Sequence, residues 1–173
     1  MRGILKRVYG GTSTDGGGSS IYESYGATQP GIAAYKGKVL LIVNSASQCG
    51  FVNQYDALEA LWQQYQSRGL VVLGFPSNDF LGQEPKGDAE IQAACRLNHG
   101  VTFALFPKAP VKGDGQQPVF KFLTQEGPAD LRGPVRWNFE KFLVDKKGFL
   151  VGRWRSYVSP KSRSLVAAIE RHL

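Results

Sequence analysis

The sequence predicts an α/β fold with a central mixed sheet flanked by helices. Three observations carry this. Residues 38–44 and 70–75 are near-continuous apolar runs, the pattern of strands covered on both faces. Between them, residues 54–68 place Tyr55, Leu58, Leu61, Trp62 and Tyr65 at spacings of three and four, which line one helical face. Past residue 138, two more strand-sized runs flank a polar turn, as a hairpin requires.

The elements follow in order. Strand 38–44 runs into a polar turn, 45–50, and then into helix 54–68, which Gly69 ends. Strand 70–75 stops at Pro76. Strand, helix and strand within about forty residues form a βαβ unit, whose strands are parallel. Asp88 suits the N-cap of a helix through Asn98, with Gly100 just past its end. Residues 117–124 suit a short helix. Residues 139–144 and 149–155, around a turn at 145–148, read as the hairpin, and Ser159-Pro160 opens a last helix. A parallel start with an antiparallel finish is a thioredoxin-like layout.

The 173 residues are 42% hydrophobic and 20% charged, which suits one domain with its own core. No apolar run reaches the roughly 18 residues of a membrane span. Residues 1–20, Gly- and Ser-rich from Gly10 onward, read as a disordered N-terminal tail, leaving 21–173 as the domain. Arg2, Lys6 and Arg7 give the tail a faint transit-peptide character, but no apolar segment follows to make a secretory signal. The expected location is cytoplasmic, with organellar targeting by the tail as the alternative.

Charge is uneven. Residues 132–173 carry ten Lys or Arg against three Asp or Glu, the whole net charge of +7, while the rest carry eleven of each. Such a face suits an anionic membrane surface or an acidic protein, and equally a solvated surface. Nucleic acid would suit the charge too, but no nucleic-acid partner is expected. Two cysteines, Cys49 and Cys95, with no C-x-x-C, make no disulfide scaffold. With His99 and His172 they have no ligand-like spacing for zinc.

Sites in open α/β sheets form beyond the carboxyl ends of strands. Cys49 lies there, ahead of a helix whose unpaired N–H groups and dipole favour the thiolate, the nucleophilic form. A cysteine in that turn is as readily structural, but Ser45, Ser47 and Gln48 give it polar surroundings. The loop after the second strand, from Phe75 to Pro85, should reach the same edge. Its Gln83 has a neutral amide that donates without quenching a thiolate, although a solvated loop explains it as well. Trp137 and Asn138 carry further donors just before the hairpin, where Trp137 alone would read as core.

Three segments together are specific: Asn44-Ser-Ala-Ser-Gln-Cys-Gly50, Leu73-Gly-Phe-Pro-Ser-Asn-Asp-Phe-Leu-Gly-Gln-Glu-Pro85 and Trp137-Asn-Phe-Glu-Lys-Phe-Leu-Val144. They resemble, in order, the signature blocks of glutathione peroxidases, and the similarity runs from about Lys36 to the C-terminus. The resemblance implies a thioredoxin fold and a catalytic tetrad at Cys49, Gln83, Trp137 and Asn138. It also implies that Cys95, in Ile91-Gln-Ala-Ala-Cys-Arg-Leu-Asn-His-Gly-Val-Thr-Phe103, is a resolving cysteine, where its residue type alone would suit a small helical position. There are departures. Ser45 stands where the family usually has Val, Asp79 where it often has Gln, and Ser77 where non-animal members often have Cys. No hairpin of the family's kind is legible between Ile21 and Tyr35. The short segment 113–137 seats no long oligomerisation loop, so the resemblance implies a monomer.

The resulting expectation is a thiol peroxidase for hydrogen peroxide and organic or lipid hydroperoxides. Cys49 would become a sulfenic acid, Cys95 would close a disulfide, and thioredoxin or a similar dithiol would reopen it, without metal, haem or flavin. The alternatives are a peroxide sensor that oxidises a partner protein, a one-cysteine peroxidase reduced by glutathione, or a basic binding module on an inactive peroxidase scaffold.

Overall fold

A computed structural model describes residues 10–12 and 18–173. The apolar run expected as the first core strand is β2 (Val39–Ser45), buried at every position. Its side chains alternate between two cores. Val39, Leu41 and Val43 enter one with α2 (Gln54–Tyr65), α3 (Asp88–His99) and α5 (Arg163–His172). Leu40 and Ile42 enter the other with α1 (Ile21–Tyr25) and α4 (Pro118–Lys121). Both faces are covered, which is why the run shows no polar alternation.

Among the described residues the sheet has six strands, in the order β1-β6-β5-β2-β3-β4. β3 (Leu70–Pro76) pairs parallel to β2, and the short β4 (Ala104–Leu105) parallel to β3. β5 (Lys141–Val144) lies antiparallel to β2, and β6 (Leu150–Trp154) antiparallel to β5. The βαβ unit and the hairpin are therefore joined through β2, the central strand.

Several local expectations shift. Gly87, not Asp88, caps α3, because the Asp88 carboxylate accepts from the Lys108 N–H instead. The last helix starts at Arg163, with the Ser162 side chain as its cap, so Ser159-Pro160 belongs to the preceding turn. Between Ile21 and Tyr35 lie α1 and a single 3₁₀ turn (Ile32–Tyr35). Most of the expected tail, residues 1–9 and 13–17, lies outside the described residues. Gly10–Thr12 forms the edge strand β1 against β6, and Ser20 caps α1.

Candidate active site

The carboxyl ends of β2 and β3 bring two of the predicted segments together. Ser77 N–H donates to the Ser45 carbonyl (3.0 Å), carrying the pairing one step past the strands. Gln48 N–H then donates to the Gln83 carbonyl (3.0 Å), which sets the second loop against the turn that carries Cys49. Glu84, fully buried, accepts from Ser47 N–H (2.7 Å) and Ser47 Oγ (2.8 Å). Its own N–H donates to Asn78 Oδ1 (2.9 Å). The carboxylate thus ties the two loops side by side.

The third segment arrives from β5. Asn44, the penultimate residue of β2, grips it at three points. Asn44 Nδ2 donates to the Trp137 carbonyl (3.0 Å), Asn44 Oδ1 accepts from Glu140 N–H (3.1 Å), and the Asn44 carbonyl accepts from Phe139 N–H (2.6 Å). Phe139 between them has φ +64°, a left-handed conformation unusual for a non-glycine residue. Strain of that kind persists only where the surroundings over-determine it. Here the three Asn44 bonds do so, and they aim Trp137 and Asn138 at the sheet end.

Asn138 Nδ2 donates to Gln83 Oε1 (3.0 Å), joining the second and third segments across 55 residues of sequence. Cys49 is 2% exposed, in the same core as Phe139, with Trp137 packed against that core. Its sulfur accepts from the Phe51 N–H (3.4 Å), a backbone donor in the turn leading to α2. Among the described residues, no hydrogen bond runs from the Cys49 sulfur to the Gln83, Trp137 or Asn138 side chains. The four expected residues are neighbours rather than one bonded unit in this state. Trp137 is half-buried against Phe80 (ring centroids 5.7 Å). A cleft of about 360 Å³ opens between Phe51, Trp137, Tyr157, Arg136 and Arg155.

The basic C-terminal stretch is partly self-consumed. Glu140, fully buried, accepts from Arg153 Nε and Nη2 (3.0 and 2.9 Å), Arg155 Nη1 (2.8 Å) and the Arg136 N–H (2.6 Å). Arg132, exposed, donates its Nε to the Gly127 carbonyl. Lys141 is fully buried, and its Nζ donates to Gln54 Oε1 (2.9 Å) and to the carbonyls of Arg155 and Ser156 (both 3.1 Å). Burial pulls the Lys141 ammonium down to about 7, against the opposing pull of Glu140. Asn44, Glu84, Glu140 and Lys141 are the structural residues the sequence reading passed over. Each lies within a motif quoted above, but nothing local distinguishes a carboxylate that is buried from one that is solvated.

Cys95 is 1% exposed on α3, in the same core as Cys49. Burial holds its thiol above its ordinary range, against a smaller opposing pull from Tyr55. Neither cysteine is in a disulfide in this structure.

Residues 22–124 match the family described as glutathione peroxidase. The chain belongs to the glutathione peroxidase family. It is 52% identical over 131 residues to the glutathione peroxidase-like peroxiredoxin HYR1 of Saccharomyces cerevisiae, covering 75% of this chain and 80% of that one. It is 48% identical to the hydroperoxy fatty acid reductase gpx1 of Synechocystis, covering 80% and 85%. Among solved structures, Trgpx in its apo form superposes with a TM-score of 0.63 at 37% identity, covering 81% and 83%. A thioredoxin family protein of Chlorobium tepidum superposes with a TM-score of 0.52 at 15% identity, covering 81% and 83%, a likeness of fold alone. This glutathione peroxidase homologue therefore has the thioredoxin-like fold expected of it. It is an oxidoreductase, a peroxidase that reduces hydroperoxides with a thiol reductant. Among the described residues, no helix is long and apolar enough to cross a membrane.

Proposed function

We propose that Cys49 is the peroxidatic residue of a two-cysteine cycle, on a catalytic domain of residues 21–173 to whose sheet Gly10–Thr12 adds an edge strand. Its thiolate attacks one oxygen of the peroxide. The S–O bond forms as the O–O bond breaks, and the departing oxygen takes a proton to leave as water or alcohol. Cys49 is then a sulfenic acid. The observation that carries this reading is the Gln83–Asn138 hydrogen bond set against the Cys49 turn. It occupies Gln83 Oε1 and leaves the Gln83 Nε2 amide to donate to the sulfur or the departing oxygen. The Trp137 indole N–H is a second donor, and Asn138 orients Gln83. Donors fixed before the reaction stabilise charge as it develops.

Cys95 condenses with the sulfenic acid to a disulfide and water, and an external dithiol such as thioredoxin reduces it through a mixed disulfide. Support for Cys95 is its place in the Cys49 core and the absence of any other cysteine in the chain. Lipid hydroperoxides are within the proposed range. The cleft beside Trp137 is walled by aromatic rings, and a Synechocystis relative is named for hydroperoxy fatty acids. Exposed Arg136 at that cleft suits an anionic lipid surface, and a monomer located in the cytoplasm completes the proposal.

The test is a peroxidase assay with thioredoxin and with glutathione as reductant, alongside mass spectrometry of the peroxide-treated protein. The expected result is faster turnover with thioredoxin and a Cys49–Cys95 linkage. Turnover with glutathione alone and no linkage would leave a one-cysteine peroxidase. Slow turnover with rapid oxidation of a partner protein would leave a sensor.

A further inference from the structure

Lys141 is fully buried, and no step of the peroxide chemistry uses it. Its Nζ stands among three acceptors, Gln54 Oε1 (2.9 Å) and the carbonyls of Arg155 and Ser156 (both 3.1 Å). Gln54 closes the set, because its own Nε2 donates to the same Ser156 carbonyl (2.6 Å). A buried charge is costly to desolvate, and an apolar side chain of similar volume often serves stability as well or better. What three directed bonds supply instead is position. They fix the first residue of α2 against the turn that follows β6.

Both ends of this strut stand on the cleft beside Trp137. On one side the Phe51 carbonyl accepts from the Gln54 N–H (2.9 Å), and the Phe51 N–H donates to the Cys49 sulfur (3.4 Å). On the other side Arg155 and Ser156 line the cleft and lead into Tyr157, whose ring is 53% exposed there. The third wall is tied to Glu140, the residue before Lys141. The Glu140 carboxylate accepts from the N–H of Arg136, next to Trp137 (2.6 Å), and from Arg155 Nη1 (2.8 Å). Two consecutive buried side chains, Glu140 and Lys141, therefore connect the segments that carry the aromatic walls Phe51, Trp137 and Tyr157.

We propose that Lys141 and Gln54 are positioning residues that hold the cleft walls at a fixed separation and so set the preference of the enzyme for bulky organic hydroperoxides over hydrogen peroxide. The proposal rests on the reading of this cleft as the approach of organic hydroperoxides to Cys49. The organic group of such a substrate lies between the aromatic walls, which aims its O–O bond at the sulfur. Walls held in place before binding make that alignment cheap, and a small misplacement is costly in rate. Hydrogen peroxide has no organic group, so its alignment does not depend on the walls. Neither residue touches the reacting atoms, and both act through the walls.

The experiment measures the second-order rate of Cys49 oxidation in a single turnover, with hydrogen peroxide and with cumene hydroperoxide, by quenching with a thiol-blocking reagent and reading the products by mass spectrometry. The readout is the ratio of the cumene hydroperoxide rate to the hydrogen peroxide rate, which a general loss of stability does not move. Lys141→Met removes all three bonds and should lower the ratio about tenfold. Gln54→Leu, at a half-buried site, removes the two Gln54 bonds and should lower it about threefold; it keeps the test open should Lys141→Met fail to fold. The double variant should fall short of the product of the two effects, since both break one strut. Tyr157→Ala trims a wall itself and should lower the ratio too. An unchanged ratio in the Lys141 and Gln54 variants, with a lowered one in Tyr157→Ala, would overturn the proposal and leave the cleft as the approach. An unchanged ratio in all three would overturn the reading of the cleft as well.

Discussion

Two helices of twelve residues each follow the two parallel strands β2 and β3, and they are held in opposite ways. α2 buries Tyr55, Leu58, Leu61 and Tyr65 along one face. α3 buries only Ile91 and Cys95. Fully burying a large apolar side chain is worth roughly 1.5–3 kcal/mol, so α2 has the deeper hold. The rest of the attachment of α3 is polar and near its ends. At its C-terminal side, α2 supplies Asp56 to His99, and Glu59 to Thr102 and the Phe103 N–H. At its N-terminal side Asp88 holds the Lys108 N–H, and Lys108 Nζ bonds the carbonyls of Glu84 and Lys86. Those of them that are exposed, from Asp56, Glu59 and Asp88, contribute little net stability. The cysteine proposed to meet peroxide is therefore in the firmly packed half of the site, and the one proposed to move is on the loosely packed helix. Disulfide geometry is narrow, so a cysteine within a helix needs local opening to reach it, and loosely packed elements open first.

The largest effect expected from this contrast is chemical. Cys49→Ser should abolish peroxide consumption, since a serine hydroxyl is a far weaker nucleophile. Cys95→Ser should still consume one equivalent and then stall with thioredoxin, with over-oxidation of Cys49. Stopped-flow consumption and intact mass read both. A tenth of wild-type activity in Cys49→Ser would reverse the assignment of the two sites.

Next comes the clamp on the packed side. Asn44→Ala removes two side-chain bonds at the left-handed Phe139 and leaves buried backbone groups unpaired, a cost of about 1–3 kcal/mol for each group. Urea unfolding should show that loss. The rate of Cys49 oxidation should fall at least tenfold as Trp137 and Asn138 lose their position, in the direction of Gln83→Ala, for which about a hundredfold is expected. An unchanged oxidation rate in a destabilised protein would make Asn44 a fold residue only.

Amide exchange tests the contrast directly. Backbone N–H groups of α3 should exchange well before those of α2 under native conditions. Equal protection would mean that the polar ends of α3 hold it as firmly as a buried face does.

The smallest effect is a pH slope. Lys141 anchors Gln54, the first residue of α2, with its ammonium brought from 10.5 down to about 7 by burial. Between pH 7 and 9 the unfolded chain holds a proton that the folded protein gives up, so stability should rise with pH across that window. Below pH 7 the cost of the buried charge is fully present. Lys141→Met should flatten the slope measured by denaturant unfolding at several pH values. A slope unaltered by the substitution would assign it to other groups.

Much of this was written locally. Apolar runs predicted β2 and β3, the 3.6-residue period predicted α2, and turn chemistry predicted the β5–β6 hairpin, because each depends on residues within one turn or one strand. The motif residues Cys49, Gln83, Trp137 and Asn138 were legible as residue types at strand ends. Asp88 shows where local reading fails. Its carboxylate could cap its own helix or bond the Lys108 N–H, and folding decided for the partner twenty residues away.

The sequence by itself determined β2, β3, α2 and the β5–β6 hairpin and which side chains could do thiol chemistry, but not the edge strands β1 and β4 or the helix α1. Tertiary structure alone decided that Gln83 bonds Asn138, that Asn44 holds Phe139 in its left-handed turn, and that Glu140 absorbs Arg153 and Arg155. It also decided that the Tyr55 ring packs on Phe139 and on His99 of α3. The physical reason is range. Period and propensity act over a few residues, whereas a buried polar group takes whichever partner the packed chain brings within hydrogen-bond distance.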